Sequence, residues 1–375
     1  MKKLIPFLAV IAMIACSTQK KAEENSVFLN ASAYDTTIDG KAVYLYTLKN
    51  DSGITVYLTN YGARVVGIIT PDKDGNLADI ALGYPDIEGY LNDNMYSGPI
   101  VGRFANRIGD AQFTLDNQVF ELFKNEGNNT LHGGEKGPDK CVWDATQDGN
   151  SITMTYLSPD GEEGYPGNLR MSVTYKLTPE NSLEIEYEAE TNKPTVINLT
   201  NHTYLNLRGE GDTTILDQFC QINAGYYTPI DNEWIPTGEI APVAGTPFDF
   251  NEAKEIGKDI LADDEQLKNG LGYDHNWVLN KDSVGAFTFA AKLWDKSTGR
   301  YVKVSTTEPG MQFYCGNFMD GSITGKSGKP YPYRSACIFE AQHFPDSPNH
   351  DNFPSTVLRP GEKYKQVTMY EFGVE

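Results

Sequence analysis

The sequence predicts an all-β protein, a large antiparallel β-sandwich of two sheets packed face to face, with few short helices. Three observations predict it. Short segments of alternating apolar and polar residues recur along the chain, separated by Gly, Asn, Asp and Pro. The composition is rich in strand-forming aromatics and turn-forming glycine, with 22 Tyr, 17 Phe and 35 Gly. Only residues 251–269 form a helical candidate, and their charge predicts short surface turns rather than one long helix. No Walker A loop, GxGxxG fingerprint, HExxH or repeat of fixed period is present, which argues against nucleotide-binding, zincin and propeller folds.

The elements follow in order. Residues 1–15 read as a signal peptide: Lys2 and Lys3 precede an apolar run, 4–15, that is too short to span a membrane. The run ends in Met13-Ile-Ala-Cys16, the pattern of a bacterial lipobox, so Cys16 is expected to become a lipidated N-terminus; plain secretion with cleavage near Ala15 is the alternative. Residues 16–30 form a polar tether, and 31–375 a single β domain with no linker-like break. The expected location is extracytoplasmic, a lipoprotein facing the periplasm. Strands are expected at 43–49, 55–60 and 63–70, with Pro71-Asp-Lys-Asp-Gly75 as a turn, and at 111–115 and 119–123 around an Asp116-Asn117 hairpin. Further strands are expected at 151–156, at 171–177 and 183–189 around Pro179-Glu-Asn181, and at 287–293, 301–306, 311–318 and 336–344.

Charge narrows the function classes. Removing Lys2 and Lys3 leaves 29 basic against 51 acidic residues, which argues against nucleic acid, anionic lipid surfaces and phosphorylated substrates. Membrane contact is expected only through the N-terminal lipid. Cys141, Cys220, Cys315 and Cys337 show no CxxC spacing, so a cysteine zinc site is not indicated. Disulfides and buried thiols both stay open.

The segment 198–207 carries the strongest chemical signal. Ile197, Leu199, Leu205 and Leu207 share one parity; Asn198, Thr200, His202, Tyr204 and Asn206 share the other. The second set is a row of neutral hydrogen-bonding groups around one imidazole, suited to a hydroxylated ligand; a solvated strand face is the alternative. His132 lies in Asn128-Asn-Thr-Leu-His-Gly-Gly134, where glycines allow close backbone approach. Glu340 ends the apolar run Ala336-Cys-Ile-Phe-Glu340, where burial would raise its pKa toward a general-base range; an exposed strand-end Glu is the alternative. Arg107 ends Gly102-Arg-Phe-Ala-Asn-Arg107, and His275 follows Gly272-Tyr-Asp274.

Taken together, these segments resemble the aldose 1-epimerases, the galactose mutarotase family. The resemblance rests on Gly102-Arg-Phe-Ala-Asn-Arg-Ile108, Asn129-Thr-Leu-His-Gly-Gly134, Asn198-Leu-Thr-Asn-His-Thr-Tyr204 and Gly272-Tyr-Asp-His-Asn276. It continues through Pro309-Gly-Met-Gln-Phe-Tyr314 with Gly316-Asn317, and Phe339-Glu-Ala-Gln342 with Leu358-Arg-Pro-Gly361. It implies a galactose mutarotase-like supersandwich with its sugar site on a concave face, converting α and β anomers of a free monosaccharide without metal or organic cofactor. By the same resemblance Glu340 is the general base, His202 the general acid as a protonated imidazole, and His132 a second active-site histidine. Arg107, Asp274 and Gln312 are sugar-hydroxyl ligands, with Asn106 assisting. Competing readings are a carbohydrate-binding or glycoside-hydrolysing sandwich, the latter using Glu340 and Asp274. A zinc site from His132, His202 and Asp274 and a sugar-phosphate epimerase are further alternatives.

Overall fold

A computed structural model describes residues 28–375. The leader, Cys16 and the tether as far as residue 27 lie outside the described residues. Three antiparallel sheets build the body. A nine-stranded sheet runs, in spatial order, Asp144–Asp148, Ser151–Ser158, Leu169–Leu177, Ser182–Thr191, Tyr364–Val374, Arg300–Thr306, Thr288–Trp294, Phe219–Ile222 and Lys254–Glu255. A five-stranded sheet runs Ala241–Pro242, Ala224–Thr228, Asp274–Leu279, Gly310–Tyr314 and Ile338–Gln342. A four-stranded sheet joins Leu45–Lys49, Thr55–Thr59, Arg64–Pro71 and Leu77–Asp79. One continuous apolar core takes the inward residues of all three, among them Val56, Val65, Met171, Tyr187, Trp277, Phe313 and Phe339. The expected all-β sandwich is therefore present, and the described helices are short: the α-helices Ile87–Leu91 and Glu265–Asn269 and single 3-10 turns.

Local sequence accounts for the turns. Asp116 and Asn117 both adopt left-handed φ, 51° and 62°, and close the hairpin between Gln112–Leu115 and Gln118–Glu121. The helical candidate 251–269 breaks, as expected, into a short strand, a 3-10 turn and the helix Glu265–Asn269, capped by the Asp264 side chain on the Gln266 and Leu267 amides. All four described cysteines are buried free thiols.

Two expectations change. The segment 198–207 is not a continuous strand: Thr200–Asn201 pairs with Ile100–Val101, while Asn198 bridges Phe104 and Leu205 bridges both Ala81 and Cys337. Its apolar parity does enter the core, and of its polar parity His202 and Tyr204 line a cleft while the two asparagines bind protein backbone. Asn198 donates to the Ala105 and His343 carbonyls and accepts from the His343 amide, and Asn206 donates to the Ser335 carbonyl. The backbone is still satisfied, but by several short neighbours in turn: Asn198 bonds Arg103 and Ala105, His202 bonds Pro99 and Gly98, Leu205 bonds Cys337 and Asn206 bonds Ile80. The second change is Tyr364–Val374, an eleven-residue strand at the centre of the nine-stranded sheet that the alternation does not reveal.

The five-stranded sheet sets the site through parity. Trp277, Met311, Phe313, Phe339 and Ala341 point into the core, and so does His275, whose ring packs against Phe248 and is pushed down to about 3 by burial. On the opposite face, the register places Asn276, Gln312 and Glu340 side by side across three strands, with Asp274 beside Tyr314 one step along. The antiparallel Leu205–Cys337 bridge, continued three residues each way, brings His202 opposite Glu340.

Candidate active site

The polar face of this sheet floors a cleft of about 370 Å³, within the range of small-ligand sites. His202, Glu340, His132, Arg107, Asn106 and Asp274 all line it. Glu340 Oε1 lies 3.8 Å from His202 Nε2, and both side chains are buried. Glu340 Oε2 is enclosed with no hydrogen-bond partner in the protein, so its accepting capacity is unused there.

His132 arrives by a different route. Arg107–Ile108 pairs with Thr130–Leu131, which sets His132 against Asn106. The His132 amide donates to the Asn106 carbonyl at 3.0 Å, and the Asn106 amide donates to His132 Nδ1 at 3.1 Å. Both residues hold left-handed φ, 64° for Asn106 and 51° for His132, an outlier pair of the sort that clusters at functional sites. With Nδ1 accepting a backbone N–H, the neutral ring must carry its proton on Nε2. Burial, with His202 and Arg107 nearby, holds His132 well below the usual histidine range, so it is a neutral donor.

That tautomer bears on metal binding. His132, His202 and Glu340 place one potential ligand atom each within 4.8 Å of one another. Coordination through His132 Nε2 would put a proton on Nδ1, facing the Asn106 N–H donor to donor. The trio therefore does not fit a metal as His132 is held. Asp274, the third ligand of the zinc alternative, is not part of this cluster.

Arg107 and Asp274 form the other wall. Glu126 accepts from Arg107 Nε at 2.6 Å and from Nη2 at 2.8 Å, leaving Nη1 for a ligand. Gln312 adjoins this wall: its amide donates to Asp274 Oδ1 at 2.7 Å, and its Oε1 is buried with no partner in the protein. That bond helps to hold the Asp274 carboxylate in place. Glu126, Tyr96, Tyr204, Trp234 and Tyr314 also line the cleft and escape the sequence reading, except that Tyr204 shares parity with His202. Glu126 sits among Asn and Gly, where a solvated turn is the ordinary inference.

The electrostatics favour neutral partners. Burial raises the Glu340 carboxyl well above its ordinary value, Asp274 adds to this, and Arg107 opposes it. Burial pushes His202 down to about 4, with the Tyr96 carbonyl and Asp93 opposing. A protonated imidazole is thus not the resting form. Burial favours the protonated carboxyl beside the neutral imidazole, and moving that proton to His202 creates an ion pair across 3.8 Å.

A family model described as aldose 1-epimerase matches residues 44–371. The chain belongs to the aldose 1-epimerase family. It is 41% identical to the galactose mutarotase of Rattus norvegicus over 335 residues, covering 89% of this chain and 95% of that one. It is 38% identical to the aldose 1-epimerase of Escherichia coli K12 over 340 residues, 90% and 97% of the two chains. Among solved structures, a GalM/aldose epimerase homologue from C. elegans superposes with a TM-score of 0.83 at 30% identity, covering 89% of this chain and 99% of its own. Galactose 1-epimerase from Lactobacillus acidophilus gives 0.79 at 32%, covering 90% and 97%. The aldose 1-epimerases are isomerases that interconvert anomers, and this chain shares both their fold and their sequence over almost its whole described length.

Proposed function

We propose that the protein interconverts the α and β anomers of free hexoses, with Glu340 and His202 exchanging one proton through the sugar. The observation that carries the reading is the buried carboxyl and imidazole facing each other at 3.8 Å across the cleft. A sugar hydroxyl donating to the unpaired Glu340 Oε2 would lower its proton affinity and pass the shared proton to His202. From that state Glu340 removes the C1-hydroxyl proton while His202 protonates the ring oxygen, and the C1–O5 bond breaks. The open aldehyde then rotates about C1–C2. Reclosure reverses the transfers: His202 takes the C5-hydroxyl proton and Glu340 returns one to the C1 oxygen. The pair holds one proton on Glu340 at the aldehyde stage, which is the arrangement burial already favours. The His132 Nε2–H serves as a fixed donor to oxygen that gains charge. Arg107 Nη1 and Asp274 bind the remaining hydroxyls through charge-assisted bonds, which restrains all but the C1 end.

Polarimetry on freshly dissolved α-D-glucose and α-D-galactose tests this, galactose because relatives are named for it. The protein should speed relaxation of at least one sugar to its anomeric equilibrium; a folded protein that accelerates neither refutes the reading. We further propose that the chain is exported and lipidated at Cys16, a reading supported by the basic, apolar and Cys-terminated leader. Radiolabelled palmitate incorporation in a bacterial host, lost in Cys16→Ala with release of the protein from membranes, is the expected result. Equal fractionation of the two forms would remove the anchor.

A further inference from the structure

Two turns of this chain share one construction, and one of them borders the cleft. In the surface turn Asp72–Asn76, Asp72 Oδ1 accepts from the Asp74 amide at 2.9 Å and the Asn76 amide at 2.8 Å. The Gly75 amide reaches the Asp72 carbonyl, and Gly75 takes the left-handed position at φ 83°. The turn Asp231–Ile235 repeats this bond for bond. Asp231 Oδ1 accepts from Glu233 at 2.8 Å and Ile235 at 3.0 Å, and the fourth residue's amide reaches the Asp231 carbonyl at 3.2 Å. Here the left-handed position, φ 62°, belongs to Trp234. A related turn at Asp93 gives Tyr96 φ 55°, with Met95 and Ser97 amides on the Asp93 carboxylate. Glycine fills this position without strain and large side chains do so at a cost. At the cleft the chain therefore accepts strain to aim an aromatic ring inward.

The two rings meet different machinery. Tyr96 packs against His132 and His202, with centroids at 4.7 and 5.9 Å, so it belongs to the acid–base side. Trp234 stands across the cleft, 5.3 Å from the Arg107 guanidinium and edge-on to the exposed Phe318 at 5.6 Å. Its indole Nε1 is shielded from solvent and has no hydrogen-bond partner. A shielded donor without an acceptor, on a residue lining a sugar cleft, calls for a ligand oxygen.

We propose that Trp234 is a further substrate-binding residue that helps to set sugar specificity: its Nε1–H donates to one hydroxyl of the bound hexose while its ring walls the cleft beside Arg107. This rests on the mutarotase reading for the ligand, but the contact is one of binding and is read apart from turnover. The experiment is titration calorimetry with D-glucose and D-galactose on wild type, Trp234→Phe and Trp234→Gly, with mutarotation and thermal midpoints in parallel. Phe keeps a ring near the guanidinium and removes only the N–H; affinity for the preferred sugar should fall about three- to tenfold with kcat within about twofold. Gly suits the left-handed backbone and removes the ring, so affinity should fall by at least about thirtyfold with no lower thermal midpoint. Within the 2-, 3-, 4- and 6-deoxyglucose series, the sugar lacking the contacted hydroxyl should bind wild type and Trp234→Phe equally. Wild-type affinity in both variants overturns the proposal, as does a Phe variant whose loss is the same for every deoxy sugar. Wild type that binds sugar without mutarotation refutes the enzymatic reading and leaves Trp234 to be judged on affinity.

Discussion

Replacing Glu340 by Gln separates the chemistry of this site from its stability, with opposite signs expected for the two. The substitution keeps shape and removes the proton-exchanging carboxyl. A positioned acid or base contributes about 10²–10⁴ in rate, so turnover should fall by at least about a hundredfold while sugar affinity changes little. Stability should move the other way. Burial raises the Glu340 carboxyl well above 4.5, so the folded state keeps a proton that the unfolded chain releases. Stability then declines as pH rises from about 4.5 through the folded-state pKa, because the folded form binds more protons over that window. At pH 7 the penalty is capped by the interval from 4.5 to 7, which at about 1.36 kcal/mol per unit is about 3 kcal/mol. Glutamine carries no such penalty. Urea unfolding at pH 7 should show Glu340→Gln more stable than wild type by up to about 3 kcal/mol, shrinking toward zero near pH 4.5. A variant with more than about a tenth of wild-type rate, or one less stable than wild type at pH 7, would refute the reasoning.

Other consequences are direct. His202→Asn should lose about 10²–10⁴ in kcat, and the double variant with Glu340→Gln should be little slower than either alone, since one proton serves both groups; polarimetric rates that multiply would break the pairing. The acid limb of kcat/KM should fall near pH 4, where His202, pushed down by burial to about 4, gains a proton while Glu340 keeps its own. A limb near 6.5 would show a histidine titrating at its ordinary value. Glu126→Gln weakens the two-point grip on Arg107 and should raise KM about tenfold with a smaller change in kcat; a loss confined to kcat would place Arg107 elsewhere in the reaction.

The sequence reveals most where parity is clean. Leu169–Leu177 and Ser182–Thr191 alternate apolar and polar residues and pair in register over nine residues. Glu340 was readable for the same reason, a single carboxyl closing an apolar run. Tyr364–Val374 escapes because its buried face carries Gln366 and Thr368. Their hydrogen-bond partners are distant in sequence, the Leu199 carbonyl for the Gln366 amide nitrogen at 2.5 Å and the Thr306 hydroxyl for Thr368 at 2.9 Å. Buried polar groups with distant partners look exposed in a one-dimensional pattern. Gln312 illustrates the converse: a motif places it at the site, but only the register with Asn276 and Glu340 shows that its amide meets Asp274.

His132 supplies a test between proton and metal chemistry. Its Nδ1 accepts from the Asn106 amide at 3.1 Å, which fixes an Nε2–H donor toward the cleft and denies that nitrogen to a cation. Glutamine can present an N–H in place of the imidazole donor but cannot reproduce a ring nitrogen ligand. His132→Gln should therefore keep more activity than His132→Leu, by about tenfold for one donor to developing charge, and EDTA should leave wild type unchanged. In a metal site both substitutions would remove a ligand and fall together, and chelation would abolish turnover. Such a result would require His132 to flip, breaking the Asn106 contact, and would reverse the assignment of donors made from the backbone.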